Sequence, residues 1–406
     1  MNILIADKLD SQAHTSLENM GCSLITDGSL QDERLVGAIK EHHPEILIVR
    51  STIVQKEHID ASSSLSLIIR AGAGTNTIDL EYASQKGIYV ATCPGKNAIA
   101  VAELTLGHLL NLDRRISDNV QELRSGIWNK KEYSKANGLF GRKLAIIGLG
   151  SCGLETLKRA KSFGMNISVW SRSFSPQKAA ELGVHYASSP KEAAQDAHAL
   201  TVHLAYGAST KNIISADVLN VLSNGAYVIN TSRGGIIDEQ ALIEAIEKKG
   251  LRAGLDVFEG EPSPSVADFS SAITKNSAVY GTHHIGASTD QATEAVGAEV
   301  VNIVRTYRDR GTVINCVNLA KNSPSQNLIT VRHADKVGVL ARVLETLRKE
   351  NHNVQEMENI LFSGGKAACA KIHLVGRPSE SLMKTLETDE DIFSVSLTIK
   401  SIPTLF

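Results

Sequence analysis

Residues 144–172 read LAIIGLGSCGLETLKRAKSFGMNISVWSR, and the rest of the chain is organised around them. The apolar run Leu144–Ile147 reads as a buried strand. Gly148, Gly150 and Gly153 follow at G-x-G-x-x-G spacing. Leu154, Leu157, Ala160 and Phe163 then recur at the helical period, Gly164 stops the helix, and Ile167–Trp170 starts a second strand. In this setting each glycine has a task. Gly148 permits the tight turn, Gly150 lets backbone approach a pyrophosphate, and Gly153 allows the helix to pack close to the strand. The helix N-terminus offers unpaired N–H groups to the phosphates. A dinucleotide site is expected here. Without the flanking elements the same spacing would mean only a glycine turn.

Working outward, residues 1–98 repeat a strand–helix rhythm, with strands at 2–6, 22–26, 45–49, 66–70 and 88–91. Strands alternating with helices imply a parallel sheet, whose binding residues lie just past the strand carboxyl ends. Arg50-Ser51 and the segment 70–76 sit there. Residues 97–120 read as one long buried helix. Strands at 200–204, 226–230 and 253–258, with helices at 216–222 and 239–248, supply a second nucleotide-domain half. A helix at 290–308 closes this part, and the polar segment 318–326 reads as a linker. Residues 327–406 then read strand–helix–strand–strand–helix–strand, a ferredoxin-like order. The expected fold is α/β: two Rossmann-like parallel-sheet domains plus a C-terminal ferredoxin-like α+β module. The expected boundaries are 1–98 with 290–317 for a substrate domain, 99–289 for the dinucleotide domain, and 327–406 for the C-terminal one.

The 406 residues exceed one typical core. Lys and Arg number 42 against 44 Asp and Glu, so no basic field points to nucleic acid or to a membrane surface. The five cysteines form no C-x-x-C pair, which fits a reducing compartment and gives no metal framework. The N-terminus lacks a basic, then apolar, leader, and no apolar run is long enough to span a membrane. A cytoplasmic protein is expected.

Three strand-end segments carry polar groups: 228–238, 254–262 and 280–289. They bring Arg233, Asp256, Glu259, Glu261, His283 and His284 beside the dinucleotide site. Hydride transfer at a carbinol needs a proton partner for the oxygen, which histidine suits near neutral pH. A carboxylate beside the histidine orients its ring, and arginine holds a substrate carboxylate bidentately. Singly, each residue has a bland explanation: a surface Arg, a solvated Glu, a core His.

These segments resemble the D-isomer-specific 2-hydroxyacid dehydrogenases, and the resemblance covers essentially the whole chain. The family's N-x-x-R-G segment falls on Asn230–Gly234, which makes Arg233 the expected binder of the substrate carboxylate and carbonyl. Its acid before proline falls on Glu261, and its histidine in T-P-H-I-G-G-S-T falls on His284. Glu259 is then a bystander. His283 replaces a proline and Ala287 a glycine, with no chemical role expected for His283. The resemblance further implies cofactor contacts at Gly148, Gly150, Cys152, Gly153, Thr231, Ser232, Asp256, Gly286 and Ala287, with Cys152 packing rather than reacting. It implies substrate contacts at Arg50, Ser51, Ala73, Gly74 and Asn97, with Arg50, Ser51 and Asn97 at the phosphate end of 3-phosphoglycerate. The match at Lys130 and Lys131, after Trp128, is loose, and neither is assigned a role.

The implied reaction moves hydride between C2 of the 2-hydroxy acid and a nicotinamide, with 3-phosphohydroxypyruvate as the product. The C-terminal unit resembles an ACT domain, with His333, Asp335 and Asn353 at the positions that hold serine in regulated relatives. Asp335 replaces an Asn there, and Val337 a Pro. The resemblance also implies a homodimer or homotetramer. Where an NAD site would carry an acid on the ribose 2′-OH, this chain has Ser171, followed by Arg172. An arginine flanked by hydroxyls suits a 2′-phosphate, so NADP is expected to be accepted alongside NAD. Two alternatives stand beside this reading: a reductase of unphosphorylated hydroxypyruvate or glyoxylate, and a dinucleotide-sensing corepressor.

Overall fold

The computed structural model describes residues 1–262, 266–320, 325 and 327–399. They divide into two compact units, Met1–Asn318 and Leu319–Phe406. Most of the expected linker, residues 321–324 and 326, lies outside the described residues, as do residues 400–406 of the expected C-terminal domain.

The first unit holds two parallel sheets. Strands β1 (Asn2–Ile5), β2 (Ser23–Thr26), β3 (Ile46–Val49), β4 (Leu67–Arg70) and β5 (Tyr89–Thr92) lie in the order β2-β1-β3-β4-β5. The strand β3, Ile-Leu-Ile-Val, is apolar throughout because helices cover both faces of the sheet. The second sheet contains β6 (Lys143–Ile147), β7 (Asn166–Trp170), β8 (His185–Tyr186), β9 (Ala199–Val202), β10 (Tyr227–Asn230), β11 (Arg252–Leu255) and β12 (Val279–Gly281). Its order is β12-β11-β10-β9-β6-β7-β8. The strand order reverses between β6 and β9, and that switch point opens the crevice where ligands bind in such sheets. The helix Asp290–Arg310 returns to the first sheet, where Val300, Val301, Ile303 and Val304 pack with Ile3, Ile5 and Ile48.

Helix 97–120 is corrected. It ends at Arg114, and a second helix runs Ile116–Arg124. Arg115 stands between them in the left-handed region, at φ 51°. Its guanidinium reaches Asp118 and Glu132, each at 2.8 Å, so side-chain bonds hold the break. The helix Ala98–Arg114 packs against the helix Ser151–Ser162 and against β10 and β11. By contrast, Ile116–Arg124 buries nothing and exposes Ile116, Val120 and Leu123. The strand expected at 253–258 stops at Leu255, because Asp256 turns its side chain into the loop that follows β12.

The second unit runs β13 (Asn327–Ala334), helix Val339–Lys349, β14 (Val354–Leu361), β15 (Ala367–Leu374), helix Glu380–Glu387 and β16 (Ile392–Ile399). Its antiparallel sheet has the order β14-β15-β13-β16. Ile329, Val331 and Ile372 form its core with Val343 and Leu347 of the first helix and Leu382 and Leu386 of the second. The amphipathic pattern of the two helices puts both on one face of the sheet. Among the described residues, no helix is long and apolar enough to cross a membrane, and no acid, histidine or cysteine cluster could hold a metal.

Candidate active site

The cleft of the first unit runs between its two sheets, where strand carboxyl ends from both lobes meet. It is lined by Arg50, Arg70, Ala73, Asn97, Arg233, Asp256, His284, Gly286 and Ala287. Residues more than two hundred positions apart in the chain share it.

Its polar centre is the Glu261–His284 pair. Nδ1 of His284 lies 2.7 Å from Oε2 of Glu261. The other carboxylate oxygen of Glu261 accepts the Phe258 amide at 2.7 Å. Burial works to raise the Glu261 pKa, but the bonds from His284 and Phe258 outweigh it and hold the carboxyl below its ordinary value. An anionic Glu261 keeps the proton on Nδ1, so Nε2 is the nitrogen left for substrate. His284 itself sits at φ 53°, a left-handed conformation that a non-glycine residue keeps only when its neighbours hold it.

Those neighbours are the buried Asp256 and the residues bonded to it. Its backbone oxygen accepts the His284 amide at 2.9 Å. Its carboxylate accepts the Ile285 and Gly286 amides, both at 2.8 Å, and the Thr282 hydroxyl at 2.6 Å. The family resemblance implied a cofactor contact for Asp256. In the structure its first task is to pin the loop that carries His284.

Arg233 is placed by a side-chain turn. Asn230, at the end of β10, accepts from the Ser232 amide and hydroxyl and donates to the Arg233 carbonyl at 2.9 Å. The Ser232 hydroxyl is therefore already engaged. Thr231 points inward, with its hydroxyl 2.8 Å from that of Thr105. The Arg233 guanidinium reaches the loop of Ala73 and Gly74, where a Cβ on Gly74 would stand 3.0 Å from Nη2.

Arg50 and Asn97 line the cleft, and Asn97 precedes the helix Ala98–Arg114 without spending its side chain as a cap. Ser51 is used differently. Its hydroxyl donates to Asp7 at 2.8 Å, and Asp7 also accepts the amides of Arg50, Ser51 and Thr52. Burial pushes the Asp7 pKa up, and these bonds more than reverse it, leaving it lowered. Ser51 thus helps to hold Arg50 in place from across β1 and β3.

Arg70, at the end of β4, was given no role from the sequence, although its segment was marked. Its guanidinium lies against Gly72 and Gly74. Burial first, then the charges of Arg233 and Arg50, pull its pKa down to about 10. Its Nε is buried and has no partner. An arginine closing an apolar parallel strand was the available signal. Lys8, after β1, carries the same signal and also lines the cleft; Thr293, on the returning helix, carried none.

The glycine turn has the geometry read from its spacing. Gly148 sits at φ 98°, and a Cβ on it would collide with the His203 carbonyl. A Cβ on Gly153 would strike the Gly148 carbonyl, while the space at Gly150 is open. The helix Ser151–Ser162 begins there with no side chain capping its N–H groups. Cys152 lies in the first turn of that helix, its thiol pKa raised by burial. Ser171 and Arg172 follow β7, and Arg172 is exposed with no hydrogen bond or ion pair among the described residues.

A family model described as D-isomer specific 2-hydroxyacid dehydrogenase, NAD binding domain, matches residues 106–286. The hydroxypyruvate reductase of Thermotoga maritima is 36% identical over 300 residues, which cover 73% of this chain and 95% of that protein. The chain belongs to the D-isomer-specific 2-hydroxyacid dehydrogenase family. The D-3-phosphoglycerate dehydrogenase of Methanocaldococcus jannaschii is also 36% identical, over 330 residues. That match takes in 81% of this chain but only 61% of the archaeal protein, so the chain spans well under its relative's full length. Among solved structures, an NADPH-dependent glyoxylate/hydroxypyruvate reductase from Sinorhizobium meliloti, in complex with NADP and malonate, superposes with a TM-score of 0.65 at 25% identity. That alignment covers 79% of this chain and 99% of the reductase.

In the second unit the three expected effector residues are not joined by any hydrogen bond. His333 is buried, with Nδ1 2.8 Å from the Ala334 carbonyl and Nε2 3.1 Å from Asn359 Oδ1. Asp335 and Asn353 are exposed. Asn359, which the sequence did not mark, is the partner that His333 takes.

Proposed function

We propose that this chain is an NAD(P)-dependent D-2-hydroxyacid dehydrogenase acting on 3-phosphoglycerate, oxidised reversibly to 3-phosphohydroxypyruvate at the entry to serine synthesis. One observation carries the substrate: Arg50, Arg70 and Arg233 share the cleft with the Glu261–His284 pair. A single arginine suffices for a carboxylate. Three, two of them close enough to add to the burial that pulls down the Arg70 pKa, call for a second anionic group such as a phosphate.

The residues present fit a dinucleotide, since the open Gly150 turn and the uncapped helix start form an anion cradle beside the cleft. When bound, the nicotinamide supplies the hydride acceptor. The chain's own residues do the rest. Arg233 clamps the carboxylate and polarises the C2 oxygen. Nε2 of His284 takes the hydroxyl proton in oxidation and returns it in reduction. Glu261 holds Nδ1–H and stabilises the imidazolium that forms.

A second reading, an NADPH-dependent reductase of hydroxypyruvate or glyoxylate, is favoured by Ser171 where an acid would select NAD and by the unpartnered Arg172 that follows it. Steady-state kinetics crossing 3-phosphohydroxypyruvate, hydroxypyruvate and glyoxylate with NADH and NADPH test both. A kcat/KM about 10-fold or more in favour of the phosphorylated substrate is expected from one charged contact. Equal or better use of the unphosphorylated acids gives the second reading. Tight cofactor binding without turnover would make the chain a dinucleotide-sensing binding protein instead.

We read the second unit as an ACT-like regulatory domain, on its element order and on Gly338, which starts its first helix at φ 92°. Serine inhibition of turnover is the direct test. His333 would have to give up its bond to Asn359 to meet an effector. The exposed Ile116, Val120, Leu123 and Trp128 supply an apolar surface for a homodimer, which light scattering on the purified chain would detect.

A further inference from the structure

The helix Ala98–Arg114 carries a histidine inside its buried face. His108 is 4% exposed, and the catalytic chemistry described above does not use it. Its Nε2 lies 3.1 Å from the Thr282 hydroxyl, which in turn lies 2.6 Å from Oδ1 of Asp256. Asp256, 1% exposed, is the residue that pins the backbone of His284, Ile285 and Gly286.

A hydroxyl has one proton. Thr282 gives its proton to the buried carboxylate, which as an anion can only accept. Nε2 of His108 must then be the donor to the Thr282 oxygen, which requires the neutral ring with its proton on Nε2. Burial favours that neutral form by lowering the imidazole pKa, against the opposing charge of Asp256. The ring is also wedged from behind. A Cβ on Gly254 of β11 would stand 2.8 Å from the His108 Cβ and 3.0 Å from its Nδ1. Glycine at 254 therefore makes room for the ring, and the ring is aimed by packing on one side and by Thr282 on the other.

We propose that His108 is a positioning residue for the catalytic loop: its Nε2–H fixes the Thr282 hydroxyl, which orients the Asp256 carboxylate, which holds His284 in its left-handed conformation. The function of this chain of bonds rests on the dehydrogenase reading, but its geometry does not. A leucine at 108 would fill the space and leave Thr282 free to rotate away from Asp256. Glutamine would keep a donor near the position of Nε2. Alanine at 254 would displace the ring without touching its chemistry.

The test uses the full chain as wild type, His108→Leu, His108→Gln and Gly254→Ala. Nitrogen-15 spectroscopy of wild type should report the Nε2–H tautomer at His108. Amide hydrogen exchange at Ile285 and Gly286 should quicken about 10-fold in His108→Leu and Gly254→Ala and stay near wild type in His108→Gln, because one orienting bond is lost or kept. In turnover, kcat should fall about 10-fold in His108→Leu and Gly254→Ala, with substrate KM changed less than about 2-fold, as expected for a misplaced proton acceptor. An Nδ1–H tautomer, unchanged exchange in His108→Leu, or a His108→Gln as impaired as His108→Leu would each overturn the proposal. Tautomer and exchange need no substrate. A chain that passes both and reduces no 2-oxo acid therefore fails the dehydrogenase reading while leaving the loop-positioning chain in place.

Discussion

Nδ1 of His284 and Oε2 of Glu261 stand 2.7 Å apart, although 23 residues separate them and they leave different strands, β12 and β11. The bond occupies Nδ1 and leaves Nε2 as the free nitrogen of the imidazole. It also ties two loops whose relative placement the sheet alone would leave loose.

Replacing Glu261 by Gln keeps the shape of the pair and removes the charge. Turnover should fall about 100-fold, within the usual range for general acid–base partners, and His284→Ala should fall at least as far. Cofactor affinity, read by fluorescence titration, should change little in either. Unchanged turnover in His284→Ala would remove it from proton transfer.

Arg70 tests the arginine cluster. Arg70→Met should raise KM for 3-phosphohydroxypyruvate about 10- to 100-fold, the cost of one charge-assisted bond, with a smaller rise for hydroxypyruvate. Parallel losses on both substrates would place Arg70 at the shared carboxylate instead. Arg50→Ala, measured beside it, should show the same preference.

Arg172 bears on the cofactor. Arg172→Ala should weaken NADPH about 10-fold in KM and leave NADH nearly unchanged, since only NADPH has a 2′-phosphate to lose. A chain that strongly prefers NADH before and after the change would refute NADP use.

His203 gives the acid sensitivity a sign. Its ring lies beside the glycine turn with Nδ1 buried and unpartnered, and burial pushes its pKa down to about 4. The unfolded chain takes up that proton near the ordinary value of about 6.5, so between those limits the unfolded state binds more protons. Stability should therefore drop as pH falls through this window and be unaffected by His203 above it. Denaturant unfolding at about pH 7.5 and about pH 5 should show roughly 2 kcal/mol more loss in wild type than in His203→Asn. Equal loss in the two proteins would mean that His203 is protonated in the fold.

Much of the architecture was open to reading from local pattern. The glycine spacing between two apolar runs located the nucleotide turn, and its collision-prone positions, Gly148 and Gly153, are those the packing needs. The six elements of the second unit were readable from periodicity alone. Arg233, Glu261 and His284 came from motif resemblance, and the cleft brings Arg233 and His284 together with Glu261 bonded behind the ring. The break at Arg115 was not readable, because bonds to Asp118 and Glu132 hold it against a good helical pattern.

Sequence by itself determined the elements, the nucleotide turn and the types of group available for chemistry, because these depend on neighbours a few residues away. Only the tertiary structure decided how each polar group is spent. Ser51 goes to Asp7, 44 positions away, Thr282 to Asp256, and His333 to Asn359. Arg70 became part of the site because three arginines from separate strands close on one another. A buried donor or acceptor must find a partner, and which partner it finds is set by which strand ends the fold brings within about 3 Å.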